Sequence, residues 1–476
     1  MNLNPSLNFI SPEMVLTLFA MLALFGSVSS RLKHSIGLLS FMGVAASAVF
    51  LPLSFRCGQF SFYGMLINDP FSVFFRSILI VASAFTILLS MGYSEREEEN
   101  GGEFYFFILA LTVSMMLAVS SSNLLMIYLA VEAVSLISYI LAGYHKKNPF
   151  SSEAGVKYFL FGAFSTGVML YGISLIYGLF GTLDLGVIFR GLTTASYVDP
   201  AAVLVAALLI LVGIGFKSAV VPFHMWAPDV YQGAPTPVTA LFSVGPKAVG
   251  FALLLRVFTF GFHSAFTHWG TLAGFLAILT MTVGNVLALR QSNIKRILAF
   301  SSIAHAGYLL AGVAVGTVAG AQAVMYYLFI YTLMNLAAFG AVIAIGNALH
   351  SETVEDYAGL YRQAPFTAVI LTVALLSLAG IPPLAGFIAK FLLLSAAVES
   401  DLVTLAVAIS LNSVIALYYY VRIVKYMFLH EPAKSTTMPT TTSLSLALVV
   451  LTIAIFILGV WPQPVLGWLS GLLRLS

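Results

Sequence analysis

"GIGFKSAVVPFHMWAPDVYQGAPTPVTA", residues 213–240, decides how this chain is to be read. An almost unbroken apolar run, residues 201–216, leads directly into Lys217, and His224, Asp229 and prolines 222, 228, 235 and 237 follow. Sixteen apolar residues are most of a membrane crossing, because a helix rises ~1.5 Å per residue and the hydrocarbon layer is ~30 Å thick. A lysine and helix breakers at the end of such a run have two readings. Either the ammonium snorkels to the interface, or the chain opens there to admit water and a charge.

Composition favours the membrane setting. Of 476 residues, 60% are hydrophobic and 8% charged, and the mean hydropathy is +1.01. An ordinary soluble domain carries roughly 25% charge. Apolar runs of membrane length recur, and the weak alternating segments of a β-barrel are not seen. The sequence therefore predicts an all-α polytopic membrane protein. Fourteen transmembrane helices are expected, near 7–29, 35–53, 71–93, 103–120, 122–144, 155–180, 201–223, 236–260, 266–289, 295–316, 319–347, 365–398, 402–428 and 442–470. The connections are short, so residues 1–476 are read as a single integral membrane domain. The N-terminus lacks the positive region of a signal peptide, so its first helix is expected to be a span.

Several chemistries are excluded at this level. The cations form no arm or stripe, so nucleic acid is not an expected partner. A single cysteine, Cys57, builds neither an internal disulfide nor an iron–sulfur cluster. No dinucleotide or P-loop glycine motif is present. No cofactor or metal site is expected in this chain.

Cation placement sets the orientation. One set of connections carries Arg31, Lys33, Arg96, Lys146, Lys147, Arg290, Lys295, Arg296, Arg362, Arg422, Lys425 and Lys434. The other carries Arg56, Arg76, Arg190, Arg256 and Arg474. The first set should be cytoplasmic, which leaves both termini outside. The acidic run "SEREEEN", residues 94–100, falls on the cytoplasmic side. Four lysines are left inside spans, Lys157, Lys217, Lys247 and Lys390, together with Glu132. A charge in hydrocarbon costs roughly 2.5–3.5 kcal/mol on insertion scales and marks a pathway, a partner or a cavity. Glu132 and Lys247 lie too deep to snorkel, whereas Lys217 and Lys157 lie close enough to an interface to do so. Pro246, next to Lys247, suggests a local opening of that helix.

Residues 365–398 would be ~50 Å long as one straight helix, too long for a bilayer. Gly380, Pro382 and Pro383 are expected to break it, as Pro222 breaks the span that ends in the opening stretch. If residues 103–260 and 266–428 are two five-helix units of opposite topology, spans 4–8 and 9–13, the broken helices 7 and 12 are the fourth in each. Lys217 then corresponds to Lys390, and Glu132 to His305 in "KRILAFSSIAHAGYLLAG". His305 reads equally as a proton relay or as a helix-packing hydrogen bonder.

The stretch "KSAVVPFHMWAPDVYQGAPTPVTALFS" resembles the signature of the antiporter-like membrane subunit family of proton-translocating NADH:quinone oxidoreductase, respiratory complex I. "RQSNIKRILAFSSIAHAGY" and "LAGIPPLAGFIAKF" agree with it, and "PDVYQGAPTPVTA" looks like the N type rather than the L or M types. The resemblance covers essentially the whole chain. It implies redox-driven proton translocation, with Glu132, Lys217, Lys247 and Lys390 as proton-transfer residues and Lys157, His224 and His305 as further relay candidates. It also implies that FMN, iron–sulfur clusters and quinone reside in partner subunits. The partners would be the M and L types, small K and J type subunits, the peripheral dehydrogenase arm and membrane lipid. A bacterial inner (plasma) membrane with periplasmic termini is the implied location. Two alternatives stay open: a subunit of a multisubunit cation/proton antiporter, which shares the lysine and glutamate pattern, and a membrane scaffold whose buried charges only hold helices together.

Overall fold

Polar punctuation sets the helix ends. Side chains of Asp69, Asn123, Asn148, Asp199, Asn293, Thr317 and Thr441 each cap a helix by accepting a backbone N–H, which satisfies a donor the first turn leaves orphaned. The structure is a computed structural model that describes residues 8–28, 35–55, 59–93, 101–194, 199–259, 261–262, 269–432 and 440–473. Arg31, Lys33, Arg56, Cys57, the 94–100 run with Arg96, Lys434 and Arg474 lie outside the described residues.

The elements run in order as α1 (Ser11–Gly26), α2 (Ile36–Ser54), β1 (Gln59–Ser61), β2 (Leu66–Asn68), α3 (Pro70–Met91), α4 (Gly101–Val119), α5 (Leu124–Ala142) and α6 (Pro149–Phe180). After these come α7 (Leu185–Thr194), α8 (Pro200–Ser218), α9 (Ala227–Gly233), α10 (Thr236–Leu253) continued by a π turn (Leu254–Thr259), α11 (Trp269–Ala288), α12 (Ile294–Val315) and α13 (Val318–Leu349). The chain ends with α14 (Leu360–Gln363), α15 (Pro365–Ala379), α16 (Ala385–Glu399), α17 (Val403–Leu429), α18 (Thr442–Val460) and α19 (Gln463–Leu473). The two short strands form an antiparallel hairpin. Among the described residues, twelve helices are long and apolar enough to cross a membrane, counting α10 with its π turn as one, and α1 and α15 are shorter apolar helices.

The bundle has an apolar exterior and a mostly apolar core, in which a minority of polar and ionisable side chains are buried. Helices α10 and α12 are buried along their whole length and α13 nearly so, whereas α2, α6, α11, α17 and α18 expose apolar stripes as lipid-facing helices do. The three central helices carry Lys247, Ser302, His305, Tyr327 and Tyr331, so the ionisable groups lie in the bundle core.

Four expectations need correction. Pro246 does not break its helix: α10 runs through it from Thr236 to Leu253. A proline removes only one i→i−4 bond, and close packing on every side holds the turn. The irregularity in this span is the π turn further along. The single span expected over 442–470 is two helices, because Pro462 has no N–H to donate and biases Trp461 away from helical backbone. The helix expected from residue 155 already starts at Pro149, where Asn148 caps it. Arg76 is not a connection residue: it lies inside α3, fully buried, with both Glu13 carboxylate oxygens 2.5 Å from its Nη2 and Asn68 Oδ1 3.2 Å from its Nη1.

That Glu13–Arg76 pair ties α1 to α3 in the interior. Removing one member of a buried pair strands the other charge, which costs roughly 3–5 kcal/mol. Glu13→Ala should therefore sharply lower the unfolding temperature of the protein in detergent, while the double change Glu13→Ala with Arg76→Met recovers most of the loss. A single variant as stable as wild type would contradict the pairing.

Candidate functional site

Helix α8 ends at Ser218, one residue after Lys217. Ala219 takes left-handed backbone (φ 56°), and turns carry the chain through Pro222 to α9. Helix α15 ends in the same way at Gly380 (φ 90°), and turns through Pro382 and Pro383 lead into α16. Both expected breaks are thus present. The two lysines stand on opposite sides of them: Lys217 closes the first half of its broken helix, and Lys390 lies on the second half of its own. Their likeness is one of place beside broken backbone, not of position in the sequence.

Each of the three core lysines has a different seat. Lys217 is buried, and its Nζ has no hydrogen-bond partner among the described residues. It lies 5.4 Å from the Phe216 ring centroid, 5.5 Å from that of Tyr158 and 5.9 Å from that of Tyr139, an aromatic box that favours a cation. Glu132 on α5, half-buried, acts on it electrostatically, and Tyr128 stands one turn earlier on the same helix. Lys247 Nζ donates to both the carbonyl and the hydroxyl of Ser302 on α12 and lies 5.4 Å from the Tyr331 ring centroid. Lys390 Nζ donates to the Ala379 carbonyl, 2.8 Å away at the end of α15, and lies 4.8 Å from the Tyr308 ring centroid.

His305 stands between the last two, within electrostatic reach of both Lys247 and Lys390. Its Nδ1 is 2.7 Å from the Tyr327 hydroxyl and its Nε2 3.3 Å from that of Tyr420, which in turn bonds Ser301. A lesser link joins Tyr231 on α9 to Ser302 at 3.3 Å. Serine, tyrosine and histidine can each give one proton while taking another. The core from Lys247 to Lys390 is therefore lined with groups able to pass protons.

The two other relay candidates stand apart from this line. Lys157 on α6 is partly exposed and ion-paired to Glu153 (2.7 Å) and to Asp229 of α9 (2.6 Å). Asp229 also meets Arg296 of α12 at 2.8 Å. Burial works against the Asp229 charge, but Lys157 and Arg296 outweigh it and hold the carboxyl below the usual carboxylate range. His224 is half-buried in the turn after Pro222. The sequence reading missed Ser302, the tyrosines and the bridging role of Asp229. Tyrosines in "MYYLFIY" and "LYYYVR" read as ordinary apolar residues, and only their clustering inside spans hinted at hydroxyls in the core.

The profile of the family described as NADH:quinone oxidoreductase/Mrp antiporter, TM, matches residues 121–416. That region holds Glu132, all three core lysines and both helix breaks. The chain belongs to this family. It is 42% identical over 474 residues to the NADH-quinone oxidoreductase subunit N of Trichlorobacter lovleyi, covering 99% of this chain and 97% of that one. A chain of respiratory complex I from Thermus thermophilus, solved with bound aureothin, superposes with a TM-score of 0.80 at 32% identity, covering 96% of this chain and 98% of that one. The Mrp complex of Dietzia sp. contains a chain of the same fold, with a TM-score of 0.82 at 23% identity, covering 97% of this chain and 96% of that one.

Gly380 couples backbone to site in this family member. Its left-handed φ strains any other residue, and a Cβ there would meet Lys390 Cδ at 2.9 Å. Gly380→Ala should destabilise the protein by roughly 1–3 kcal/mol and displace the Lys390 ammonium from Ala379. Thermal unfolding alongside a structure of the variant checks both, and an unmoved Lys390 in a variant of wild-type stability would refute the argument.

Proposed function

We propose that this chain is the proton-translocating N-type subunit of NADH:quinone oxidoreductase, and that Glu132, Lys217, Lys247, His305 and Lys390 carry the proton across it. The carrying observation is that His305 packs on both the Tyr331 ring that faces Lys247 and the Tyr308 ring that faces Lys390, in a core lined by serine and tyrosine hydroxyls. Burial disfavours a lysine's charge and a nearby carboxylate favours it. With Glu132 close, Lys217 keeps its proton; with Glu132 turned away, the ammonium has only ring faces and gives the proton up. Lys247 receives it on the Ser302 seat, His305 passes it on, and Lys390 at the second break releases it to the outside.

Electron transfer belongs to the partners in this reading. FMN, iron–sulfur clusters and quinone would reside in other subunits, and the M, L, K and J type subunits with the dehydrogenase arm would supply the trigger. Residues 103–260 and 266–428 act as two inverted halves, the first around Lys217 and the second around Lys390. The protein would lie in a bacterial inner membrane with both termini on the periplasmic side.

Lys217→Ala, Lys247→Ala and Lys390→Ala should each abolish most NADH-driven proton uptake by inside-out membrane vesicles while the complex still assembles. Normal uptake at a normal NADH oxidation rate in Lys390→Ala would rule out its terminal role. A Glu132→Gln, Lys217→Ala double-mutant cycle on uptake rate should depart from additivity, as contacting or charge-coupled pairs do. Additive losses would show that the two groups act independently.

A further inference from the structure

The two turns of α9, Ala227–Gly233, are too short to hold their shape alone, since isolated helices below about a dozen residues are marginal even for the best sequences. Its placement therefore comes from side chains. On its buried side, Trp226 at the N-cap stacks on Tyr158 (4.4 Å between centroids, 13° between planes) and donates its Nε1–H to the Phe216 carbonyl at 3.1 Å. Tyr158 and Phe216 are two walls of the box around Lys217. At the other end of the helix, Tyr231 bonds Ser302, the seat of Lys247. Gly233 presses against α6 so tightly that a Cβ would come within 2.2 Å of the Phe150 carbonyl oxygen.

The outer stripe of the same helix is Asp229 and Gln232. Asp229 joins Lys157 on one side and Arg296 on the other, and Arg296 also donates to Gln232 Oε1 at 3.1 Å. One short helix thus touches both lysine seats with its buried face and is gripped by two cations on its outer face. A rotation or slide of α9 would disturb the Lys217 box and the Lys247 seat together.

We propose that Asp229 is a positioning residue for proton transfer: clamped between Lys157 and Arg296, it holds α9 so that Trp226 and Tyr231 keep the Lys217 and Lys247 seats in register. Lys157 serves in this clamp as a fixed cation and does not relay protons. The inference rests on the reading of Lys217 and Lys247 as proton-transfer residues.

The test uses the assembled complex in inside-out vesicles, with proton uptake and NADH oxidation measured per assembled complex. Asp229→Asn should lower protons taken up per NADH at least about fivefold, which corresponds to roughly 1 kcal/mol of coupling, and Asp229→Glu should restore most of the loss. Lys157→Gln should reproduce the defect and Lys157→Arg should not, because arginine keeps the ion pair yet does not deprotonate. Loss in Lys157→Arg equal to that in Lys157→Gln would overturn the clamp in favour of a relay. Wild-type stoichiometry in Asp229→Asn would overturn it outright. Should Asp229→Asn fail to assemble, the two Lys157 variants decide, since each leaves the Asp229–Arg296 pair in place. Lys217→Ala, measured in parallel, separates the failures. If it too pumps normally, the underlying functional reading falls; if it alone is inactive, only the clamp falls.

Discussion

An ammonium inside a helix bundle must be compensated well enough to stay and loosely enough to change. The three core lysines meet that constraint to different degrees. Lys217 has only ring faces and a carboxylate acting on it electrostatically, worth together a few kcal/mol at most. Lys247 has two oxygens of one residue, and Lys390 has a single carbonyl freed by a helix break. Neither Lys247 nor Lys390 is locked into an ion pair among the described residues, in contrast to Arg76, Lys157 and Lys295. Charges that hold the bundle together are paired, and the charges proposed to move protons are not.

The broken helices make those seats available. A continuous helix consumes its own carbonyls, so a lysine beside it finds few acceptors. Ending α15 at Gly380 frees the Ala379 carbonyl for Lys390, and at the end of α8 the Phe216 carbonyl accepts from Trp226 Nε1 as well as from the Ala219 N–H. Ion pairs at the rim of the site then fix the pieces that the breaks set loose. Asp69 with Arg256 anchors the π turn beyond α10, through two contacts of 3.0 Å each, and Asp229 with Lys157 and Arg296 anchors α9.

Much of this was legible in the sequence, because apolar run length and local breakers are local properties. The spans and the breaks at Pro222 and at Gly380, Pro382 and Pro383 follow from neighbouring residues. What depends on distant partners did not. Pro246 looked like a break because its tolerance comes from the helices packed around α10. Arg76 looked like a connection cation because Glu13, which neutralises it, lies 63 residues away. The partner of Lys157 was not foreseen because Asp229 is 72 residues off, and folding turned the Ser302 hydroxyl toward Lys247 and the Tyr327 and Tyr420 hydroxyls toward His305.

The central claim is that protons cross this chain through one continuous core running from Lys217 past Lys247 and His305 to Lys390. A structure of the assembled complex at a resolution that shows ordered water tests it most directly. The account predicts waters joining Lys217 to Lys247 and His305 to Lys390, in hydrogen-bonding distance of one another and of the Ser302, Tyr327 and Tyr420 hydroxyls. A dry, apolar-packed gap between Lys247 and His305, with ordered water leaving the bundle by another path, would contradict it.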